Sequence, residues 1–302
     1  MQHRRTTFRS DGLTLVGDLH IPDRTPAPGL VFTGPFTGVK DQVTGSYARR
    51  LAEAGYVTLA FDHRNFGESE GEPRQHEDSA GKVADLRDAT SHLASFDEVD
   101  ASRLGCVGIC LGGAYALRFA AFDPRIGAVA FVAAAFNDPR VIREGMGPEN
   151  YRGMLRRFAE VSQRQHATGE VEYMAAVAAD GGEAAMGGQE PFDYYGTDRS
   201  ASPHWENRVS VLSIRELITL DAMSAADFLS PTPALIVHGR NDDYCSPAGA
   251  QALYDRLGEP KELVWLDTSN HIDLYDQEGF VGPASERVAA WFDAHLRSSV
   301  NA

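Results

Sequence analysis

Cys110 is a potential nucleophile that lies between two glycines at a predicted strand-to-helix turn. The apolar run 104–109 predicts a short buried strand, and residues 115–121 predict the helix that follows it. A residue in such a turn takes a positive φ, and Gly108 and Gly112 on either side must be small for the chain to fold back. The spacing is that of the G-x-S-x-G nucleophile elbow, with cysteine in place of serine. It predicts a thiol exposed at a helix N-terminus, where its pKa is lowered.

The same pattern is also typical of a tight turn in which Cys110 is only a small buried hydrophobe. The residues after two later strands favour the catalytic interpretation: Asp242 follows strand 234–238, and His271 follows strand 262–266. The carboxyl ends of parallel strands meet at one edge of a sheet, so the three side chains are expected to lie together. A cysteine nucleophile needs an imidazole as its base, and the imidazole needs a carboxylate to fix its tautomer. The chain order nucleophile, acid, base is that of the α/β-hydrolase triad.

The acid of this triad has a competitor, because Asp243 directly follows Asp242. We favour Asp242 because it lies three residues beyond Gly239, where the predicted strand ends. The alternative for Asp243 is a solvated residue of the turn.

The other two cysteines are not assigned to catalysis. Cys106 lies inside the strand before the elbow and is expected to be a core residue. Cys245 lies near the acid loop and is expected to be structural, with modulation of the site as the alternative. The spacing of the histidines, cysteines and acids indicates no metal site, and no cofactor is expected.

Acyl transfer also needs hydrogen-bond donors for an oxyanion. The backbone N–H of Leu111, directly after the nucleophile, is one expected donor. The loop after the predicted strand 29–33 should supply the other, and we choose the backbone of Phe36, with Thr37 as the alternative. Thr37 is also a candidate to line the substrate pocket.

Apolar strands alternate with helices along most of the chain, which predicts a mostly parallel, twisted sheet flanked by helices. Together with the elbow and the order of the triad, this makes the α/β-hydrolase fold the expected fold class. The first two predicted strands form an antiparallel hairpin at the start of the chain. From residue 137 to 228 the alternation stops and helical segments at 150–165 and 171–178 are predicted. We interpret residues 1–136 and 229–302 as the core, and residues 137–228 as an inserted, mainly helical cap.

The cap is expected to cover Cys110 because it leaves and rejoins the sheet at its carboxyl edge. Its aromatic residues Tyr194, Tyr195 and Trp205 are predicted to form an apolar acyl pocket, although they could equally pack the cap on the core. The glycine-rich stretch 180–188 could let this lid move. His63 follows a strand and is a further pocket candidate, with a loop histidine bonded to backbone as the alternative.

Composition limits the partners. The chain of 302 residues has a formal net charge of −15, which argues against nucleic acid and anionic membrane surfaces as partners. Three cysteines, an odd number, in a chain of this length argue against a disulfide framework, and we expect a reducing cytoplasmic location. The expected partner is a small-molecule acyl substrate, and a homodimer is left open.

Several segments together resemble a known family. They are GVKDQ at 38–42, FGESEGEPR at 66–74, the Cys110 elbow and HIDLY at 271–275. The chain resembles bacterial and fungal α/β hydrolases of the dienelactone-hydrolase-like type, which are also described as related to X-prolyl peptidases. The resemblance implies a Cys-Asp-His triad at Cys110, Asp242 and His271, and relatives among the acyl-handling enzymes of polyketide pathways. Peptidase activity is the least expected, because the chain lacks the added β domain of those peptidases.

The sequence therefore predicts a hydrolase that cleaves an ester, lactone or thioester through a covalent thioester on Cys110. One alternative keeps the triad and changes the acceptor, as in an acyltransferase or cyclase of a polyketide-type or secondary-metabolite pathway. Another is a non-catalytic binding protein on a hydrolase scaffold.

Overall fold

The structure is a computed structural model that describes residues 1–179 and 181–296. Within these residues the strands are β1 (Gln2–Ser10), β2 (Leu13–Ile21), β3 (Ala27–Thr33), β4 (Val57–Phe61), β5 (Val99–Ile109), β6 (Ile126–Val132), β7 (Tyr173–Met174), β8 (Val209–Ser210), β9 (Ala234–Gly239) and β10 (Lys261–Leu266). The helices are α1 (Val43–Glu53), α2 (Ser79–Leu93), α3 (Gly112–Ala120), α4 (Pro139–Met146), α5 (Pro148–Thr168), α6 (Gln189–Tyr195), α7 (Leu212–Thr219), α8 (Ala226–Leu229), α9 (Pro247–Arg256), α10 (Asp273–Asp276) and α11 (Glu278–Leu296).

Eight strands form one twisted sheet in the order β1-β2-β4-β3-β5-β6-β9-β10. The hairpin β1–β2 is antiparallel and joins β4 antiparallel, whereas the pairs from β4 to β10 are parallel. This is the α/β-hydrolase fold, so the fold prediction is confirmed. Parallel order places the loops after β5, β9 and β10 at the same edge of the sheet.

Both faces of the sheet are covered, and β5 shows why. Its side chains alternate, so Leu104 and Cys106 pack into one core with α2 and α3, whereas Val107 and Ile109 pack into the other with α1 and α11. Two buried faces require a nearly continuous apolar run rather than an alternating one. That run is the pattern by which the sequence predicts this strand.

The segment between β6 and β9 holds α4 to α8 and the small antiparallel sheet of β7 and β8. The predicted helix 150–165 is confirmed as part of α5, but the predicted helix 171–178 is wrong. There the chain is extended: β7 pairs with β8, and Val177 bridges Met186. Tyrosine and valine favour extended backbone, and the pairing partners lie too far along the chain to be seen in a local pattern.

The division into a core and a cap at residues 137 and 228 remains a prediction. Asp180, the first residue of the glycine-rich stretch, and residues 297–302, the end of the predicted core, lie outside the described residues. In the part of the chain that the structure describes, no helix has the length and apolarity needed to cross a membrane.

Candidate active site

The turn between β5 and α3 has the conformation that the elbow pattern predicts. Cys110 has a φ of 54°, and its amide donates a hydrogen bond to the carbonyl of Val132 on the neighbouring strand at 3.1 Å. A Cβ atom on Gly108 would lie 2.6 Å from the carbonyl oxygen of Gly112, and one on Gly112 would lie 2.3 Å from that of Thr33. Both contacts are too short for any side chain. The two glycines therefore allow the sharp turn that presents the Cys110 thiol at the sheet edge.

The loops after β9 and β10 bring an acid and a histidine together. His271 Nδ1 lies 2.6 Å from Asp242 Oδ2, and both side chains are buried. The other carboxylate oxygen, Oδ1, accepts hydrogen bonds from the backbone amides of Tyr244 at 2.9 Å and Cys245 at 2.7 Å. Asp242 is thus held in one orientation by its own loop, whereas Asp243 is exposed. This geometry favours Asp242 as the partner of His271. It leaves the second ring nitrogen of His271, Nε2, free to interact with other groups.

The thiol of Cys110 lies beside this pair. The Sγ atoms of Cys110 and Cys245 and one ring nitrogen of His271 all lie within 4.8 Å of one another. The two sulfur atoms are 3.7 Å apart, and Tyr275 Oη is 3.0 Å from His271 Nε2. The structure therefore brings Cys110, His271 and Asp242 to one place.

Two residues of this site, Cys245 and Tyr275, were not predicted as site residues. Cys245 lies three residues after the acid, and Tyr275 lies one helical turn after the histidine. These spacings are the signals that could have indicated them. Neither spacing distinguishes a site residue from a core residue, because both side chains are buried.

Hydrogen bonding and charge favour an ionised site. A hydrogen bond from the Cys245 thiol and the nearby positive charge of His271 lower the pKa of Cys110 well below its usual range, against the opposing effect of burial. The same bond and burial raise the pKa of Cys245. Burial alone would lower the pKa of His271, but the Cys110 charge and the hydrogen bond with Asp242 raise it to about 10. Near neutral pH the site therefore favours a Cys110 thiolate beside a His271 imidazolium.

The thiolate gives a first prediction. Iodoacetamide should alkylate Cys110 at a rate that is already near its plateau at neutral pH, below the free-thiol pKa of about 8.5. His271→Ala removes the positive charge and should move the profile to higher pH. Buried Cys106, whose pKa is raised by burial, is the internal control and should label slowly throughout. Peptide mass spectrometry against pH measures each rate, and a wild-type Cys110 pKa at or above the free value would contradict this electrostatic account.

Two backbone amides are placed to serve as oxyanion donors. Phe36 and Leu111 line the same cavity as Cys110. Among the described residues, no backbone or side-chain acceptor is recorded for the amide N–H of either. Leu111 directly precedes α3, so its amide also lies at the positive end of that helix. The roles predicted for these two amides thus remain compatible with the structure.

The cavity above Cys110 has a volume of about 260 Å³. Its wall is mostly apolar, and it combines loops of the core with residues from the segment between β6 and β9. The lining residues are Phe36, Cys110, Leu111, Ala135, Asn137, Ala185, Met186, Gly187, Pro191, Tyr195, Leu217, Tyr244, Cys245, His271, Ile272 and Tyr275.

Tyr195 is the predicted pocket aromatic that lines this cavity. Tyr194 instead packs edge-on against Tyr195 and Tyr275, with ring centroids 4.7 Å and 5.1 Å away. Trp205 stacks behind Tyr195 at 5.6 Å. Tyr194 and Trp205 are therefore not part of the described cavity wall, and both rings pack against Tyr195. Their contact with substrate stays a prediction.

Thr37 and His63 are likewise absent from the described cavity wall. Thr37 is fully buried with a φ of 60°. The ring of His63 lies between Thr33 Oγ1 at 2.9 Å and Asp85 Oδ2 at 3.3 Å. The described hydrogen-bond partners of this ring are side chains and not the backbone groups of the alternative, and the contact of His63 with substrate stays a prediction. A loop position after a strand does not reveal which way a histidine points.

The segment between β6 and β9 also makes hydrogen bonds to the loops that carry His271 and Asp242. Glu190 Oε1, in the first turn of α6, accepts the amide of Ile272, directly after the histidine, at 2.6 Å. Tyr244 Oη, beside the acid, donates to the carbonyl of Gly187 at 2.8 Å. Movement of this segment would thus be coupled to the positions of His271 and Asp242.

The fold and the grouping of residues at the sheet edge define an α/β hydrolase. Residues 40–278 match the Hydrolase_4 family, described as serine aminopeptidase, S33, and the chain belongs to that family. The family description names serine, whereas this chain has cysteine at the elbow.

The chain is similar to proteins of bacteria and fungi. It is 31% identical to the uncharacterized protein PA2218 of Pseudomonas aeruginosa, over 98% of this chain and 81% of the relative. The crystal structure of PA2218 matches with a TM-score of 0.88 over 98% of this chain and 94% of that one. The polyketide transferase GrgF of a Penicillium species is 28% identical over 87% of each chain. The crystal structure of GrgF, described as an α/β hydrolase, matches at 26% identity with a TM-score of 0.83, over 98% of this chain and 100% of that one. The thiohydrolase AneE of Aspergillus aculeatus is 27% identical over 92% of this chain and 89% of its own.

Proposed function

We propose that the protein cleaves an ester, lactone or thioester through a covalent thioester on Cys110, with His271 as the base and Asp242 as the acid that orients it. The observation that carries this proposal is the 2.6 Å contact of Asp242 with His271, next to a thiol of lowered pKa at a strained elbow. A positioned nucleophile, base and orienting acid are the requirements of covalent acyl catalysis.

In the first half of the reaction, the Cys110 thiolate attacks the substrate carbonyl and a carbon–sulfur bond forms. The resulting oxyanion accepts hydrogen bonds from the amides of Leu111 and Phe36. The His271 imidazolium then gives its proton to the leaving oxygen or sulfur, and the bond to the leaving group breaks. Asp242 stabilises the imidazolium before this transfer and holds its tautomer afterwards.

In the second half, neutral His271 takes a proton from water as the water attacks the thioester. Collapse of this second tetrahedral intermediate releases the carboxylic acid and restores the Cys110 thiolate beside His271 imidazolium. A thiolate is expelled more readily than an amine, so the same site is poorly suited to amides. Esters and thioesters are therefore the proposed substrates rather than peptides.

The cavity indicates the size of the acyl group. Its volume of about 260 Å³ lies just below the usual range of small-molecule pockets, and its wall is mostly apolar. We accordingly propose a short, apolar acyl portion. The leaving group would extend towards the open side of the cavity.

A second candidate function is acyl transfer or cyclisation on the same residues. Two observations support it: relatives that include a polyketide transferase, and a cavity wall that is mostly apolar. Placement within the dienelactone-hydrolase-like group also remains part of this proposal. Measuring product formation from one thioester with and without an added alcohol or amine distinguishes water from another acceptor. A binding protein without activity would form no product in either assay.

Tyr195 gives the prediction that bears on this choice. Tyr195→Ala removes part of the cavity wall and should increase the rate at which water hydrolyses the acyl-enzyme, because water then reaches the thioester more easily. Trp205→Ala is the matched control: it removes the ring behind Tyr195 and should lower the melting temperature with a smaller effect on deacylation. Acylation rate, deacylation rate and melting temperature are measured for both. If stability falls in both variants while both rates per folded molecule hold, the aromatic residues only pack the cap.

A further inference from the structure

Cys245 is a buried thiol that the acyl chemistry does not consume. It donates a hydrogen bond to Cys110, with 3.7 Å between the sulfur atoms, and a ring nitrogen of His271 lies within 4.8 Å of both. Three atoms of the kind that bind thiophilic metal ions thus converge on one point. The three residues are separated by 26 to 161 positions along the chain, so it is the fold that brings them together.

The distance between the sulfur atoms is that of two ligands of one metal ion. Zinc–sulfur bonds of about 2.3 Å at a tetrahedral angle place two sulfurs about 3.8 Å apart. The observed 3.7 Å needs almost no movement to reach this value. A disulfide needs the sulfurs about 2.05 Å apart, and the backbone at Cys110 is already strained. The arrangement therefore fits a bridging ion better than a direct bond.

The surroundings also fit a metal-binding histidine. Asp242 Oδ2 lies 2.6 Å from His271 Nδ1, which leaves Nε2 as the nitrogen for a metal. A carboxylate on the far nitrogen is the usual support of a histidine ligand. The Tyr275 hydroxyl, 3.0 Å from Nε2, would have to turn away on binding. All three ligand residues line the cavity, which supplies both an entry path and a fourth coordination position.

We propose that Cys110, Cys245 and His271 form a three-ligand site for a thiophilic divalent cation such as Zn²⁺, with its fourth position open to the cavity. Binding replaces the Cys245 thiol proton and the proton of the His271 imidazolium, so two protons leave for each ion and no electrons are transferred. The consequence for activity rests on the proposed function: the ion occupies the nucleophile and the base together, so it inhibits the enzyme reversibly. Removal of the ion by a chelator restores both groups.

The test measures zinc binding directly. Reduced wild-type protein and its variants are titrated with zinc chloride against a chromophoric chelator, which reports the dissociation constant without any assay of activity. Cys245→Ser keeps a hydroxyl donor in place of the thiol and should bind zinc at least about 100-fold more weakly, because a thiolate ligand is lost. Cys110→Ser should show a similar loss. Cys106→Ala, which removes a thiol from the core, should bind as the wild type does. Melting temperatures establish that each variant is folded.

Cobalt(II) is the second probe, because its visible bands report tetrahedral coordination and its ultraviolet bands report thiolate ligands. The wild type should show both sets of bands, and folded Cys245→Ser should lose ultraviolet intensity. The proposal is overturned if the wild type and Cys245→Ser bind zinc with the same dissociation constant, or if the wild type does not bind zinc. The proposed function is tested separately by alkylation: a site that binds zinc while Cys110 alkylates as an ordinary thiol would retain the metal site and contradict the catalytic assignment.

Discussion

Replacing Cys110 by alanine is expected to lower the rate of acyl cleavage by roughly 10⁵-fold or more, as loss of the nucleophile does in other triad hydrolases. The variant lacks the thiol on which the covalent intermediate is proposed to form, and the oxyanion donors alone supply only residual catalysis. The fold should persist, because alanine accepts the φ of 54° about as well as cysteine does. The measurement is kcat/KM on a short-chain thioester, with the melting temperature as the test of folding.

Cys106→Ala is the control for this prediction. Cys106 is fully buried in β5, the strand that leads to the elbow. The substitution therefore removes a thiol without changing the cavity wall. Its activity per folded molecule should match that of the wild type. Wild-type activity in folded Cys110→Ala would mean that another residue is the nucleophile.

Asp242→Asn is expected to lower kcat/KM by about 10²–10⁴-fold while leaving the fold intact. The amide oxygen can still accept the hydrogen bonds from Tyr244 and Cys245 that Oδ1 now accepts. The amide nitrogen, however, takes the place of Oδ2 and donates to His271 Nδ1. This fixes the tautomer whose Nε2 carries a proton, so His271 can no longer accept one from Cys110. Loss of the carboxylate should also lower the pKa of His271 and raise that of Cys110.

Asp243→Asn is the matched control, since it makes the same chemical change one residue later on an exposed side chain. It should reduce the rate little. The alkylation profile adds a readout that simple destabilisation would not change: Cys110 should titrate at higher pH in Asp242→Asn and at the wild-type pH in Asp243→Asn. Reversed results for the two aspartates would show that the acid was assigned wrongly.

The parallel sheet could be predicted from the sequence because its strands are buried on both faces. In β3 and β4 every residue is buried, so each appears as an apolar run bounded by turns. Helices alternate with these runs, and the topology follows from the connections between them. The elbow could be predicted for a related reason: the close approaches at Gly108 and Gly112 exclude side chains.

Side-chain direction was harder to predict. His63 and His271 both follow predicted strands, yet His63 lies between Thr33 and Asp85, and His271 lies beside Cys110. Side-chain direction was equally hard to predict in the cap. Tyr194 and Tyr195 are adjacent, but of the two only Tyr195 is among the described residues that line the cavity. Which of two neighbours faces a site depends on the packing of a segment whose partners are distant in the sequence. The 3.7 Å contact of Cys110 with Cys245 depends on the same long-range packing.

Trapping the acyl-enzyme tests the central claim most directly. Wild-type protein is mixed with a short-chain activated ester, quenched with acid before the steady state, and analysed by intact and peptide mass spectrometry. The account predicts one acyl group per chain, located on Cys110, and neither adduct nor turnover in folded Cys110→Ala. An acyl group on any other residue during turnover, or turnover by Cys110→Ala at the wild-type rate, would contradict it.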